Sequence, residues 1–195
     1  MHQDILNKVL EIGISLSAEK DYNRLLELIL ARVMEITHCD AGTLYLMDGD
    51  SLRFKIMRND TMKTYQGGDG KDPGLPPVKL TRESVCALAI LEDKTICIDD
   101  VRHCEEYDLS GPIRYDEMTG YYTCSMLVVP MRNREGEQIG VLQLINAMDK
   151  NGKICGFDSQ LVSVVEAMAS EAAIAIQNVR YLDEIHGLFN SFVQV

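Results

Sequence analysis

The chain is short of positive charge. Its 195 residues carry 19 Lys and Arg against 30 Asp and Glu, a formal net charge of −11. That balance excludes a nucleic-acid-binding surface, which needs a basic field to meet the phosphate backbone. Long apolar runs are also missing, because hydrophobic stretches meet a charge or a turn residue within a few positions, so no membrane span is expected. The opening MHQDILNKVL has neither the basic start nor the apolar block of a secretory leader, and a cytoplasmic location is the resulting expectation. No CxxC pair occurs. The six cysteines (39, 86, 97, 104, 124 and 155) therefore read as reduced thiols, most of them small buried hydrophobes. Histidines number four and are scattered; His103-Cys104 is a local ligand pair, but adjacent ligands alone do not build a tetrahedral metal site. Motifs for dinucleotides (G-x-G-x-x-G), nucleoside triphosphates (the P-loop), zinc proteases (HExxH) and esterases (G-x-S-x-G) are all absent. The acidic pairs Asp99-Asp100 and Asp116-Glu117 have no positioned nucleophile or convergent histidine beside them, so no enzyme is expected.

What is present is a core-forming sequence, 46% hydrophobic, long enough for one domain with helical extensions. Ile5, Val9, Ile12 and Leu16 recur at steps of four and three and predict a first helix. Asp21 is placed to cap a second, whose apolar face is Leu25, Leu28, Ile29, Val33 and Ile36. TLYLM (43–47) and LRFKIM (52–57) flank a tight turn and predict a strand hairpin. Residues 67–77, with four glycines and three prolines, predict an exposed irregular loop. A short helix opening at Thr81 and a strand TICI (95–98) follow, then loops with one or two helical turns over 99–120, where Tyr107, Tyr115, Tyr121 and Tyr122 either line a small-molecule pocket or roof the sheet. SMLVVPM (125–131) and QIGVLQLINAM (138–148) predict a second hairpin, with the polar Gln143 in an otherwise apolar strand.

From Asp158 the pattern Leu161, Val165, Met168, Ala172, Ala175, Val179, Leu182, His186, Phe189, Val193 keeps a four-three repeat for more than thirty residues. It predicts a helix whose first half packs on the sheet and whose second half leaves as a parallel coiled coil. The ending HGLFNSFVQV carries no helix stop and reads as continuing. Helices before and after an antiparallel sheet make the fold class α+β.

TLYLMD (43–48), TICIDDV (95–101), YDEMTGYYTCSMLVVPM (115–131), GEQIGVLQLIN (136–146) and GFDSQL (156–161) together resemble a GAF domain of the cyclic-nucleotide phosphodiesterase and adenylate cyclase type, over roughly residues 20–180. The resemblance implies a PAS-like six-stranded antiparallel sheet, with terminal helices, often dimer-forming, on one face and short helices roofing a pocket on the other. It implies a regulatory rather than catalytic role. Pocket positions of family members that bind cyclic AMP or cyclic GMP correspond to Thr43, Arg58, Val85, Cys86, Asp116, Thr119, Thr123 and Gln143. Arg58 is expected to pair with a ligand phosphate or to bond Asp116. The ending resembles the connector that precedes an output domain in bacterial multidomain regulators.

The expected organisation is an N-terminal helix (1–20), a sensory domain (21–180) and the start of a connector (181–195). The expected partners are a small-molecule ligand, a second copy of the chain through the terminal helices and a covalently attached output domain, with no nucleic acid and no membrane. Two alternatives stand beside this reading. One is a ligand-free dimerisation module whose pocket is filled by its own tyrosines and Met57. The other is a free methionine-sulfoxide reductase working through Cys86 or Cys124 with Cys104.

Overall fold

The computed structural model describes residues 2–68 and 71–193, and the side chains of residues 6–68 and 71–191. The chain begins with helices α1 (His2–Ala18) and α2 (Tyr22–Thr37) and a first pair of strands, β1 (Cys39–Asp48) and β2 (Ser51–Asn59). Short strands β3 (Thr64–Gln66) and β4 (Val78–Lys79), helix α3 (Val85–Leu91), strand β5 (Ile96–Ile98) and helix α4 (Ser110–Thr119) come next. The hairpin of β6 (Met126–Arg132) and β7 (Gln138–Met148), the two-residue β8 (Ile154–Cys155) and the long α5 (Ser159–Val193) complete it. The sheet runs β3-β2-β1-β7-β6-β5, antiparallel throughout, with β4 added to β2 and β8 to β7. This is the expected α+β architecture.

Local chemistry explains most boundaries. The Asp21 carboxylate accepts the Arg24 N–H at 2.9 Å and starts α2, and His38, at φ 49°, ends it. Ser84, rather than Thr81, caps the third helix, so that helix begins at Val85. Asp158 accepts the Gln160 N–H at 2.8 Å and opens α5. Residues 69 and 70 of the predicted loop lie outside the described residues. Just before them, Gly67 sits at φ 89°, and a Cβ there would come 1.9 Å from the Lys55 carbonyl, so only glycine lets the chain leave β3 against β2.

One face of the sheet is covered by helices. Leu25, Ile29, Leu30 and Val33 of α2, Ile12 and Leu16 of α1, and Val165, Met168, Ala172 and Ile176 of α5 bury against Leu44, Leu127, Leu142 and Leu144. Each fully buried side chain of this kind contributes roughly 1.5–3 kcal/mol over its exposed state. The side chains of Ile5 and Val193 lie outside the described residues.

The expectation of a coiled coil is corrected here. Along α5 the buried residues include Ala169, Ala173 and Ile176, each next to a position of the four-three seam. The stripe is therefore wider than a coiled-coil seam and is the core-facing side of a domain helix, packed on α1, α2 and β6. Beyond Val179 the seam positions Leu182 and Phe189 are exposed. Within Ser159–Ser191 an 18-residue window reaches a mean hydropathy of 1.3, enough by length and composition alone to cross a membrane, and 39% of that window is buried inside the domain. The apolarity belongs to the core stripe.

Candidate functional site

The opposite face of the sheet encloses a cavity of about 670 Å³, within the range of small-molecule sites. Strand register sets its floor in three rows: Phe54–Tyr45, Met57–Thr43–Gln143, and Asn59–Ala41–Ile145–Met126. Leu75, Pro76 and Pro77 of the Gly/Pro-rich loop and residues 83–86 at the start of α3 form its walls. Gly111, Pro112, Arg114 and Tyr115 of α4, with Tyr121 and Thr123 just after it, form the roof.

On the floor, two polar side chains hold each other. The Tyr45 hydroxyl donates to Gln143 Oε1 at 3.0 Å, and its ring packs on Phe54 with centroids 4.6 Å apart. Burial pushes the Tyr45 hydroxyl well above the usual phenol range and the Cys86 thiol up to about 12, so both keep their protons.

The roof hangs from two polar knots. Asp116, the buried residue of α4, accepts both the N–H and the Oγ1–H of Thr123 at 2.8 Å and pairs with Arg102. The Arg102 guanidinium also lies 5.0 Å from the Tyr122 ring centre, while its Nε is buried without a hydrogen-bond partner. The second knot centres on Asn146, at φ 60°. Its Oδ1 accepts the Cys124 and Ser125 N–H groups at 2.7 and 3.2 Å, and its Nδ2 donates to the Tyr122 carbonyl at 2.7 Å and the Tyr121 hydroxyl at 3.0 Å. Tyr121 in turn donates to Asp40 at 2.6 Å, and Thr61 bonds the other oxygen of Asp40 at 2.8 Å. Gly120, at φ 74°, ends α4 and turns the chain back toward these bonds.

A family model described as the GAF domain matches residues 19–177. The chain belongs to the GAF domain family. Among curated relatives, the cGMP-specific 3',5'-cyclic phosphodiesterases of Drosophila sechellia and Drosophila virilis are 26% identical over 174 residues; the match takes in 85% of this chain and 13% and 18% of theirs. The chain thus spans less than a fifth of those proteins. Among solved structures, the GAF domain of a phosphoenolpyruvate-protein phosphotransferase from Coxiella burnetii superposes with a TM-score of 0.69 at 18% identity, covering 93% of this chain and 98% of that one. The free methionine-R-sulfoxide reductase of Neisseria meningitidis superposes with a TM-score of 0.64 at 18% identity, covering 91% of each chain. At such identities these structures speak for the fold.

Within this GAF fold, Thr43, Arg58, Val85, Cys86, Thr123 and Gln143 border the cavity, whereas Asp116 and Thr119 do not. Asp116 is spent on the roof knot, and the Thr119 hydroxyl donates to the Tyr115 carbonyl within α4 at 2.7 Å. The proposed Arg58–Asp116 bond is not formed: Arg58 pairs with Asp60 at 2.6 Å, and Arg102 takes Asp116. The reason is register. Arg58 stands opposite Gly42 and Tyr65, in the row that continues through Leu144 to Leu127 on the helix-packed face, and it also borders a shallower groove beside α2. Of the four tyrosines, Tyr115 and Tyr121 line the cavity; Tyr122 is exposed, and Tyr107 lies against Lys94, 5.5 Å from ring centre to ammonium. Sequence reasoning passed over Tyr45 and Arg114. Tyr45 was hidden in an apolar strand, although strand alternation puts it on the same face as Thr43. Among the described residues, no group of three or more His, Cys, Asp or Glu is arranged to hold a metal ion.

Proposed function

We propose that this GAF domain is a regulatory module that binds a cyclic nucleotide, cyclic AMP or cyclic GMP, in the roofed cavity and signals through α5 to an attached output domain. The observation that carries the reading is the placement of Arg114 in the roof of an apolar cavity whose floor holds the Thr43 hydroxyl and the Gln143 amide. In a chain of net charge −11, an anionic ligand needs such a local cation, while a flat base needs apolar walls and a few fixed hydrogen-bonding groups. The named activity of the Drosophila relatives, which concerns a cyclic nucleotide, supports the same class. A reductase role is disfavoured, because Cys86, the thiol on the cavity wall, is held protonated and is a poor nucleophile. The exposed apolar residues Leu6, Leu10 and Ile14 on α1 and Ile185, Leu188 and Phe189 on α5 support association of two copies along the terminal helices.

Calorimetric titration of cyclic AMP and cyclic GMP into nucleotide-stripped protein tests the reading. Saturable heat from at least one is expected, weakened about tenfold or more by Arg114→Ala, which removes a charge-assisted contact. A folded protein that gives no heat with either nucleotide at high micromolar concentration overturns it in favour of a ligand-free module.

A further inference from the structure

Strands β6 and β8 add to the same edge of β7. Met126 faces Ile145, so continued register would bring Cys124 opposite Ala147, yet the partner of Ala147 on that edge is Cys155. Asn146 causes the exchange: its amide oxygen accepts the Cys124 and Ser125 N–H groups at 2.7 and 3.2 Å, which holds Cys124 off the ladder, and Cys155 stands in the vacated place. Asp99 marks the junction. The Cys124 thiol donates to its carbonyl at 3.9 Å, and a Cβ added to Gly156 would collide with its carboxylate, so the residue after Cys155 packs on the same aspartate. Both thiols reach solvent, Cys155 being exposed and Cys124 half-buried. Burial, then Asp100, then Cys155 push the Cys124 thiol above its ordinary value, so the two sulfurs lie within range of each other's charge.

We propose that Cys124 and Cys155 are a redox pair that a hydroperoxide converts to a reversible disulfide, fastening the roof of the cavity to the start of α5. The Cys155 thiolate, the more exposed, attacks the peroxide oxygen; the O–O bond breaks, Cys155 becomes a sulfenic acid and the departing oxygen leaves as water. The Cys124 thiolate then attacks the Cys155 sulfur, forming the S–S bond and releasing the second oxygen as water, so two thiols are oxidised and one peroxide is reduced. A dithiol reverses the step by exchange. Position gives the bond its consequence. Cys124 follows Thr123, which Asp116 of the roof holds through both N–H and hydroxyl, and its carbonyl accepts the Val101 N–H at 2.7 Å, next to Arg102, the other partner of Asp116. Cys155 precedes Gly156, the buried Phe157 and the Asp158 that opens α5. The pair lies outside the cavity, and the proposal does not rest on the nucleotide reading.

The test treats the folded full chain with hydrogen peroxide and maps its peptides by mass spectrometry without reduction. A Cys124–Cys155 cross-linked peptide, lighter by two hydrogens and released by dithiothreitol, is expected. Cys124→Ser and Cys155→Ser should each abolish it, while Cys97→Ser, at another exposed thiol, should leave it intact. Mapping of the unsubstituted protein reads the pairing directly, so the test stands even where a variant fails to fold. Amide exchange supplies the second readout: in the oxidised protein α4 and the first turn of α5 should exchange about tenfold more slowly, with α2 unchanged. Folded protein in which peroxide yields no link between these two cysteines overturns the proposal. A link that leaves exchange in α4 and α5 unchanged overturns its regulatory part. Neither readout involves nucleotide, so failure here leaves the reading of the cavity untouched.

Discussion

On the face that packs against α1, α2 and α5, the sheet buries Leu44, Leu127, Leu142 and Leu144 against aliphatic side chains with no polar atom to satisfy. On the other face it carries Thr43, Tyr45 and Gln143 at the floor of a cavity, and the α4 side of the cover is held by the polar knots at Asp116 and Asn146 as well as by apolar packing of Leu109 and Ile113. The first arrangement gives stability that is insensitive to position, since dispersion and hydrophobic burial have no preferred direction. The second gives direction at the cost of stability, because each buried polar group must find its partner. A sensor needs both. One face keeps the scaffold rigid, so that a change on the other face is transmitted rather than absorbed.

The largest effect expected is on the helix-packed face. Leu44→Ala empties a fully buried site, and urea denaturation should show a loss of about 4 kcal/mol. Its effect on ligand affinity, measured on protein that remains folded, should be small. Comparable weakening of binding would mean that the two faces are not separable.

Asn146 tests the roof. Asn146→Ala removes four hydrogen bonds and leaves the Cys124 and Ser125 N–H groups without their partner, a cost of about 3 kcal/mol. Because φ is 60° there, alanine is also strained, and Asn146→Gly should recover about 1 kcal/mol of the loss. If the two variants are equally stable, the backbone conformation contributes nothing to the knot.

This contrast also decides what was legible in the sequence. Both hairpins, the Asp21 and Asp158 caps and the helix-packed core follow from local periodicity, where each residue's neighbours in sequence carry the signal. The cavity face depends on which polar groups meet across long separations, and no local pattern states that Arg102 and not Arg58 answers Asp116. Helix α4 was read only as loops and helical turns because its inward residue is an aspartate, which breaks the apolar stripe that marks a helix. The coiled-coil expectation failed for the converse reason: up to Val179 the four-three repeat of α5 belongs to a wider stripe whose partners are α1, α2 and the sheet, and beyond it Leu182 and Phe189 are exposed.

Asp116→Asn is the next test in size. It removes the carboxylate from Arg102, whose side chain is 27% exposed, so the loss is smaller than for a fully buried pair, about 2 kcal/mol. The loss should be local. Amide exchange in α4 should accelerate while the amides of α2 and β7 keep their protection, and bound nucleotide should dissociate faster. Uniform acceleration across the chain would show that α4 opens only with the whole domain.

The smallest effect compares the two faces through one buried thiol on each. Cys39 lies in the helix-packed cluster and Cys86 on the cavity side, and burial pushes both up to about 12. In the unfolded chain a thiol ionises near ~8.5. Below that pH both states hold the proton and the shift has no consequence. As pH rises from about 9 toward 12, only the unfolded state releases it, so each thiol lowers stability by about 1.4 kcal/mol per pH unit. Unfolding free energies measured between about pH 9 and 10 should therefore fall with a slope that Cys39→Ala and Cys86→Ala each reduce by the same amount, the tyrosines, which begin to ionise in this window, contributing alike to all three proteins. The comparison of slopes cancels any packing loss that alanine itself causes. Equal reductions mean that the cavity wall at Cys86 is as dry as the helix-packed core even without ligand. A smaller reduction for Cys86→Ala would mean that water reaches the thiol through the empty cavity, and added nucleotide should then restore the missing part of the slope.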